Sequence, residues 1–184
     1  LVLALPPLLT GVIARTKAAF AGRNGPPVLQ GYYDLAKLLR KGSVLPSGSG
    51  WVFLAGPVAG VAAPLFASLL LPFGGHSAPV SFAGDMILFA YLLALARFFT
   101  AAAALDTGSA FEGMGAAREV AFSCLAEPAL FLGFVALARI SGSLSLSTML
   151  GAGPGWVTAG APLVLVAASW AVVLLAENCR IPFD

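Results

Sequence analysis

The hydrophobic positions of this chain come in long unbroken runs, and the polar residues are gathered between them. Runs at 51–73, 82–105, 120–138 and 156–176 each come near or exceed the roughly 20 residues that cross a hydrocarbon core. They predict four transmembrane helices and exclude a β-barrel, whose strands alternate apolar and polar positions. A fifth run, 1–14, is shorter than a full crossing. It predicts a fragment that begins inside its first helix, rather than a signal peptide, since no basic stretch precedes it and no small-residue cleavage site follows. Pro57, Pro64 and Pro162 lie within runs, which membrane helices tolerate when neighbours satisfy the freed carbonyls. The expectation is an all-α, polytopic transmembrane helix bundle: one integral membrane domain over 1–184, with about five spans. No repeat at a fixed period is visible, which argues against an inverted-repeat transporter.

Composition sharpens this picture. The chain is 59% hydrophobic and 10% charged, with a mean hydropathy of +0.94. A soluble domain carries about 25% charged residues, so the bilayer is the natural solvent here. The charges are also uneven. Arg15, Lys17, Arg23, Lys37, Arg40 and Lys41 place six of the ten Lys/Arg residues in segment 15–50. Segments 106–119 and 177–184 add Arg118 and Arg180. Segment 74–81 has no basic residue, segment 139–155 has only Arg139, and Arg97 falls inside a run. By the positive-inside rule, 15–50, 106–119 and 177–184 are cytoplasmic loops of a multi-pass inner-membrane protein. Trp51 and Trp156 then mark opposite interfaces.

Candidate chemistry is confined to few positions. Cys124, Cys179 and the single His76 have no partners at ligand spacing, so neither a metal site nor a disulfide is expected. In segment 15–50, Gly25-Pro26-Pro27 breaks any continuous helix, and 32–41 reads as a short amphipathic helix. Leu35, Leu38 and Leu39 share one face; Asp34, Lys37 and Lys41 lie largely opposite. Two readings stay open: an interfacial helix on anionic lipid, or a docking surface for a soluble partner. The glycines of 106–119 predict a tight, irregular loop. No Lys follows them as a nucleotide-binding loop requires.

Glu127, nine residues past Arg118 and followed by Pro128, sits within a run. An intramembrane carboxylate points to an ion or proton path. Pairing with Arg97 on the neighbouring span is the other reading, and the two are compatible if the pair gates a relay. Glu119 lies eight positions earlier, close to the same helical face, and Glu177 closes the last run three residues before Arg180. With Asp34, Asp106 and Glu112 from loops, these acids suggest a protonatable funnel opening on one side. No nucleophile–base–orienter set and no cofactor motif is present, so covalent catalysis by this chain is not expected, nor is nucleic-acid binding.

Three motifs resemble those of one family. Arg23-Asn24-Gly25-Pro26, with Gln30, Asp34 and Lys37 following, is similar to the first cytoplasmic loop of the respiratory complex I subunit 1 family. Gly115-Ala116-Ala117-Arg118 with Glu127 resembles its second cytoplasmic motif, and Ala176-Glu177-Asn178-Cys179-Arg180-Ile181-Pro182-Phe183-Asp184 its third. The compact spacing from Gly25 to Gln30, the Gly31 that follows, and the stretch from Leu105 to Gly115 resemble the branch of membrane anchor subunits in formate hydrogenlyase-type and other energy-converting nickel–iron hydrogenases. Asn24 stands where a second Arg is common.

The resemblance implies about eight spans in a complete subunit, the first five being here. It implies a non-catalytic membrane subunit that anchors a soluble electron-transfer arm and couples its redox chemistry to proton or sodium translocation. Partners would be hydrogenase-like large and small subunits, an iron–sulfur protein and antiporter-like membrane subunits. Those partners, not this chain, would hold the iron–sulfur clusters and the nickel–iron centre. Glu119, Glu127 and Glu177 would be relay acids, with Arg97, Arg118 and Arg180 as charge partners. Arg23, Gly25, Pro26, Gln30, Asp34, Lys37, Asp106 and Glu112 would shape the interface with the soluble arm. The alternatives are the quinone-binding subunit of NADH:quinone oxidoreductase, a stand-alone ion transporter, and a purely structural anchor.

Overall fold

The computed structural model describes residues 4–46, 48–73, 76–151 and 160–178. Among these residues every regular element is a helix, and the only strand-like feature is an isolated bridge between Phe73 and His76. The chain divides into two compact units, Leu1–Leu45 and Pro46–Asp184.

In the first unit, α1 (Leu5–Phe20) starts with prolines in its first turn, where a missing N–H costs nothing. It packs against α2 (Gln30–Leu39). Helix α1 continues past the apolar run through Arg15 and Lys17, because Ala18 and Ala19 favour helix as strongly as any residue does. It stops where Gly22 takes a φ of +65°, a backbone state that only glycine adopts freely. Gly11 is buried directly against the Val28 carbonyl, leaving no room for a side chain. The Tyr32 hydroxyl donates to the Ala4 carbonyl and pins the start of α2 to α1. Gln30 Nε2 donates to Asp34 Oδ1 at 3.0 Å along the polar face of α2. Its apolar face ends in Leu38 and Leu39, both exposed, the latter 87%.

The second unit contains α3 (Trp51–Ser68), α4 (Asp85–Asp106), α5 (Ala110–Ser141), the short α6 (Leu146–Met149) and α7 (Gly160–Glu177). Helices α3, α4, α5 and α7 are long and apolar enough to cross a membrane. They pack in series, α3 on α4, α4 on α5, α5 on α7. Gly56 brings α3 close to α4: a Cβ there would lie 2.6 Å from the Ala103 methyl. Small residues give membrane helices this close approach, since apolar burial alone does not drive them together. The buried cluster of Leu70, Met86, Ala90, Phe134, Leu137, Leu146 and Met149 gathers around α6.

Two connectors differ from the sequence expectation. Segment 106–119 is not an irregular loop. It is a turn at 107–109, after which α5 runs unbroken. Gly108 makes the turn with a φ of +69°, and Ser109 is extended at the helix start. Gly113 and Gly115 each cost about 1 kcal/mol relative to alanine. Neighbouring helix formers and the buried Ala116 carry the helix through them. The Ser/Gly-rich segment 139–155 also holds structure: α6 is a single turn with Leu146 and Met149 completely buried.

Candidate functional site: an ion-pair cluster in a helix-lined cavity

Arg97 lies in the interior of α4, and its guanidinium reaches two other helices. Nη1 donates to Glu127 Oε1 of α5 at 3.2 Å, and Nη2 pairs with Glu177 Oε2, the last residue of α7. A planar, forked guanidinium can serve two carboxylates from two directions in this way. The Arg97 side chain is 14% exposed, Glu127 42% and Glu177 28%. The cation is thus the deepest member, with an acid on each side. Pro128 follows Glu127 and leaves the carbonyl one turn earlier without its helical donor.

The cluster borders a cavity of about 550 Å³. Its walls are mostly apolar, with Phe89, Leu130, Phe131 and Trp170 among them. Its polar lining is Arg97, Thr100, Glu119, Glu127, Glu177 and Tyr91. The three acids expected to act together therefore share one cavity with Arg97, and Glu127 is paired with it. Such a site can hold water, exchange a proton among carboxylates, and shift a cation between two anions.

The remaining sequence-predicted residues fall elsewhere. Arg118 does not line the cavity; its guanidinium carbon sits 5.7 Å from the centroid of the Phe122 ring. Arg180 lies outside the described residues. Asp106 Oδ2 accepts the N–H groups of Gly50 at 2.6 Å and Phe53 at 3.2 Å, so the end of α4 caps the start of α3. Glu112 accepts the Thr107 hydroxyl at 2.8 Å in the first turn of α5, where an anion complements the helix dipole. Arg23, Gly25, Pro26, Gln30, Asp34 and Lys37 belong to the first unit. There Arg23 donates its backbone N–H to the Ala18 carbonyl, and a Cβ on Gly25 would lie 2.8 Å from the Ala18 methyl.

Two residues of the cavity, and one structural carboxylate away from it, escaped the sequence reading. Thr100 follows Arg97 by three residues on the same helix, a spacing that marks it as a neighbour once Arg97 is singled out. Trp170 closes the cavity wall and stacks edge-on against Phe134, with ring centroids 5.1 Å apart. Asp85, completely buried at the far end of α4, accepts the Ser145 hydroxyl and the Leu146 N–H.

A family profile described as NADH dehydrogenase matches residues 1–184. Formate hydrogenlyase subunit 4 of Escherichia coli K12 is 40% identical over 98% of this chain and 59% of its own length. Hydrogenase-4 component C of the same organism is 37% identical over 100% of this chain and 58% of its own length. An NADH-quinone oxidoreductase subunit of Geobacter metallireducens is 28% identical over 100% of this chain and 60% of its own length. Among solved structures, that of a membrane-bound sulfane sulfur reductase, an archaeal respiratory membrane complex, contains a chain with a TM-score of 0.77 and 28% identity. The match covers 92% of this chain and 56% of that one. The present chain thus spans about three fifths of the length of the curated relatives it matches.

Proposed function

The chain belongs to the NADH dehydrogenase family, and on that premise we propose that it is a membrane subunit of a hydrogenase- or formate hydrogenlyase-type redox complex. It anchors a soluble electron-transfer arm and couples the arm's redox chemistry to proton or sodium translocation. The arm would consist of hydrogenase-like large and small subunits and an iron–sulfur protein, and these would hold the nickel–iron centre and the clusters. Antiporter-like membrane subunits would complete the ion path. The higher identity with formate hydrogenlyase subunit 4, 40% against 28% for a quinone oxidoreductase subunit, favours the hydrogenase branch.

The observation that carries the coupling role is Arg97 held between Glu127 and Glu177 at one cavity. A proton arriving on either acid cancels its charge and weakens that ion pair, and Arg97 then binds the remaining carboxylate more tightly. The guanidinium is a two-position element set by where the proton sits. Glu119, on the same cavity wall, is the further station. In the first unit, Gln30, Asp34 and Lys37 on the polar face of α2, with Arg23 and the Gly25-Pro26 corner, form the seat for the arm. The uncovered leucines of that helix face lipid. The basic segment 15–50 is on the cytoplasmic side.

The test uses the intact complex in sealed vesicles. Glu127→Gln removes the titrating group and keeps the shape. Redox-linked proton uptake per hydrogen evolved should fall at least tenfold, while hydrogen evolution in the presence of an uncoupler persists. Repeating the measurement with and without sodium identifies the coupling ion. Unchanged proton movement would leave this chain a structural anchor. Inhibitor-sensitive quinone reduction in place of hydrogen evolution would move it to the quinone oxidoreductase branch, which the Geobacter metallireducens relative keeps open.

A further inference from the structure

The far end of α5 carries a cation with no anion beside it. Arg139 lies in the last turn of α5 and is exposed. Arg97 is taken up by Glu127 and Glu177, and the Arg118 guanidinium lies against the Phe122 ring. Arg139 has no acidic partner among the described residues. Asp85, the acid at this end of the second unit, already accepts the Ser145 hydroxyl and the Leu146 N–H.

The depth of Arg139 follows from the helix itself. Arg118 and Arg139 are both on α5. Their spacing in sequence corresponds to about 31 Å at ~1.5 Å per residue. A hydrocarbon core is about 30 Å thick. The two guanidiniums therefore stand at opposite membrane boundaries, at the level of lipid phosphates. Glu127 is about 18 Å back along the same helix, so Arg139 is remote from the ion-pair cavity.

Arg139 borders a cavity of about 360 Å³ between α4 and α5. Met86 of α4, Val135 and Ala138 of α5 and Leu144 give it apolar walls. Val135 is 50% exposed and Leu144 48%, so the groove is open at the surface of the bundle. Gly142 turns the chain with a φ of +68° and sets Ser143 and Leu144 beside the helix end. The Ser143 oxygen accepts the Ser145 N–H at 3.2 Å, which leaves its own hydrogen to donate. Among the described residues no Asp or Glu lines the groove.

We propose that this groove is a binding site for an anionic phospholipid. Arg139 and the Ser143 hydroxyl hold the phosphate, and Met86, Val135 and Leu144 take the upper part of one acyl chain. A guanidinium fork matches the oxygens of a phosphate, and its stem lies along apolar surface while its head reaches the boundary. A zwitterionic head group brings an ammonium that finds no carboxylate here, so the site favours a net negative one. The site stands whether or not the Arg97 cluster carries protons.

The test uses the intact complex in detergent with phosphatidylglycerol bearing a photoreactive group on its acyl chain. Cross-links mapped by mass spectrometry should fall near Met86 and in segment 135–144. Unlabelled phosphatidylglycerol should suppress them, with phosphatidylcholine or inorganic phosphate at least fivefold less effective. Arg139→Gln should lower the labelling at least fivefold, and Arg139→Lys, which keeps the charge and loses the fork, should fall between. Val135→Trp fills the groove at a half-exposed position without touching the charge, and should lower labelling too. If Arg139→Gln reduces the amount of assembled complex, the competition on the native protein decides. Labelling that is absent, unchanged in Arg139→Gln, or suppressed equally by both lipids would overturn the site.

Discussion

Asp85 shows what a single carboxylate does away from the cavity. It is completely buried, and its two oxygens are used separately: Oδ1 accepts the Leu146 N–H at 2.6 Å and Oδ2 accepts the Ser145 hydroxyl at 3.0 Å. The Ser145-Leu146 backbone opens α6, whose Leu146 and Met149 anchor the buried cluster. Asp85→Ala leaves a buried N–H without its acceptor, which costs about 1–3 kcal/mol. Asp85→Asn keeps one acceptor oxygen and should lose less. Thermal unfolding in detergent should therefore rank native above Asn above Ala, and equal melting of all three would remove the clamp from the fold. Nothing in the sequence near Asp85 announces this role, because its partners are 60 and 61 residues away. Arg97 and Glu127 were legible for the opposite reason. A charge inside an apolar run is conspicuous wherever its partner lies. Glu177 was legible as an acid at a span end, but its contact with Arg97 was not, since that depends on α7 packing against α5 beside α4.

At the scale of elements, the spans could be read from run length, and their ends could not. The run at 120–138 became the core of a 32-residue helix, and the runs at 51–73 and 82–105 lost residues at an end. Hydropathy reports which residues tolerate lipid, whereas helix ends are set by turn chemistry such as Gly108 and by caps such as Asp106. Helix α6 was invisible because one turn carries no periodicity. Packing between elements turns on glycines, and Gly133 of α5 is the clearest. It abuts the indole nitrogen of Trp170 on α7, leaving no room for a Cβ. That nitrogen is buried and has no hydrogen-bond partner among the described residues. Gly133→Ala should push α7 away and cost about 1–3 kcal/mol, as overpacking does. In a background where Trp170 is the protein's single tryptophan, its fluorescence should shift to the red as the ring loses contact with Phe134. A variant that melts normally with unshifted emission would show that α5 and α7 do not depend on this contact.

At the scale of the molecule, the second unit has two chemically different ends. At one, Asp106 caps α3 through Gly50 and Phe53, and Glu112 sits beside Thr107. At the other, the connectors before α4 and after α5 interlock. Gly84 donates to the Leu144 carbonyl at 3.2 Å, Ala78 to the Ser147 hydroxyl at 3.1 Å, and Asp85 holds Ser145 and Leu146. The interlocked end ties its polar groups together in hydrogen bonds between the two connectors, and among the described residues its one Lys or Arg nearby is Arg139 in the last turn of α5. The capped end is where the chain enters from the basic segment 15–50. Charge bias in short connectors sets orientation because basic residues resist translocation. We infer from this bias that the capped end is the cytoplasmic one. In a cysteine-free background, Ala110→Cys reports the capped end and Thr148→Cys the interlocked end; both positions are exposed. A membrane-impermeant maleimide added to intact cells should label Thr148→Cys and reach Ala110→Cys only after the membrane is opened. The reverse pattern would invert the topology and overturn the orientation that the positive-inside rule gives.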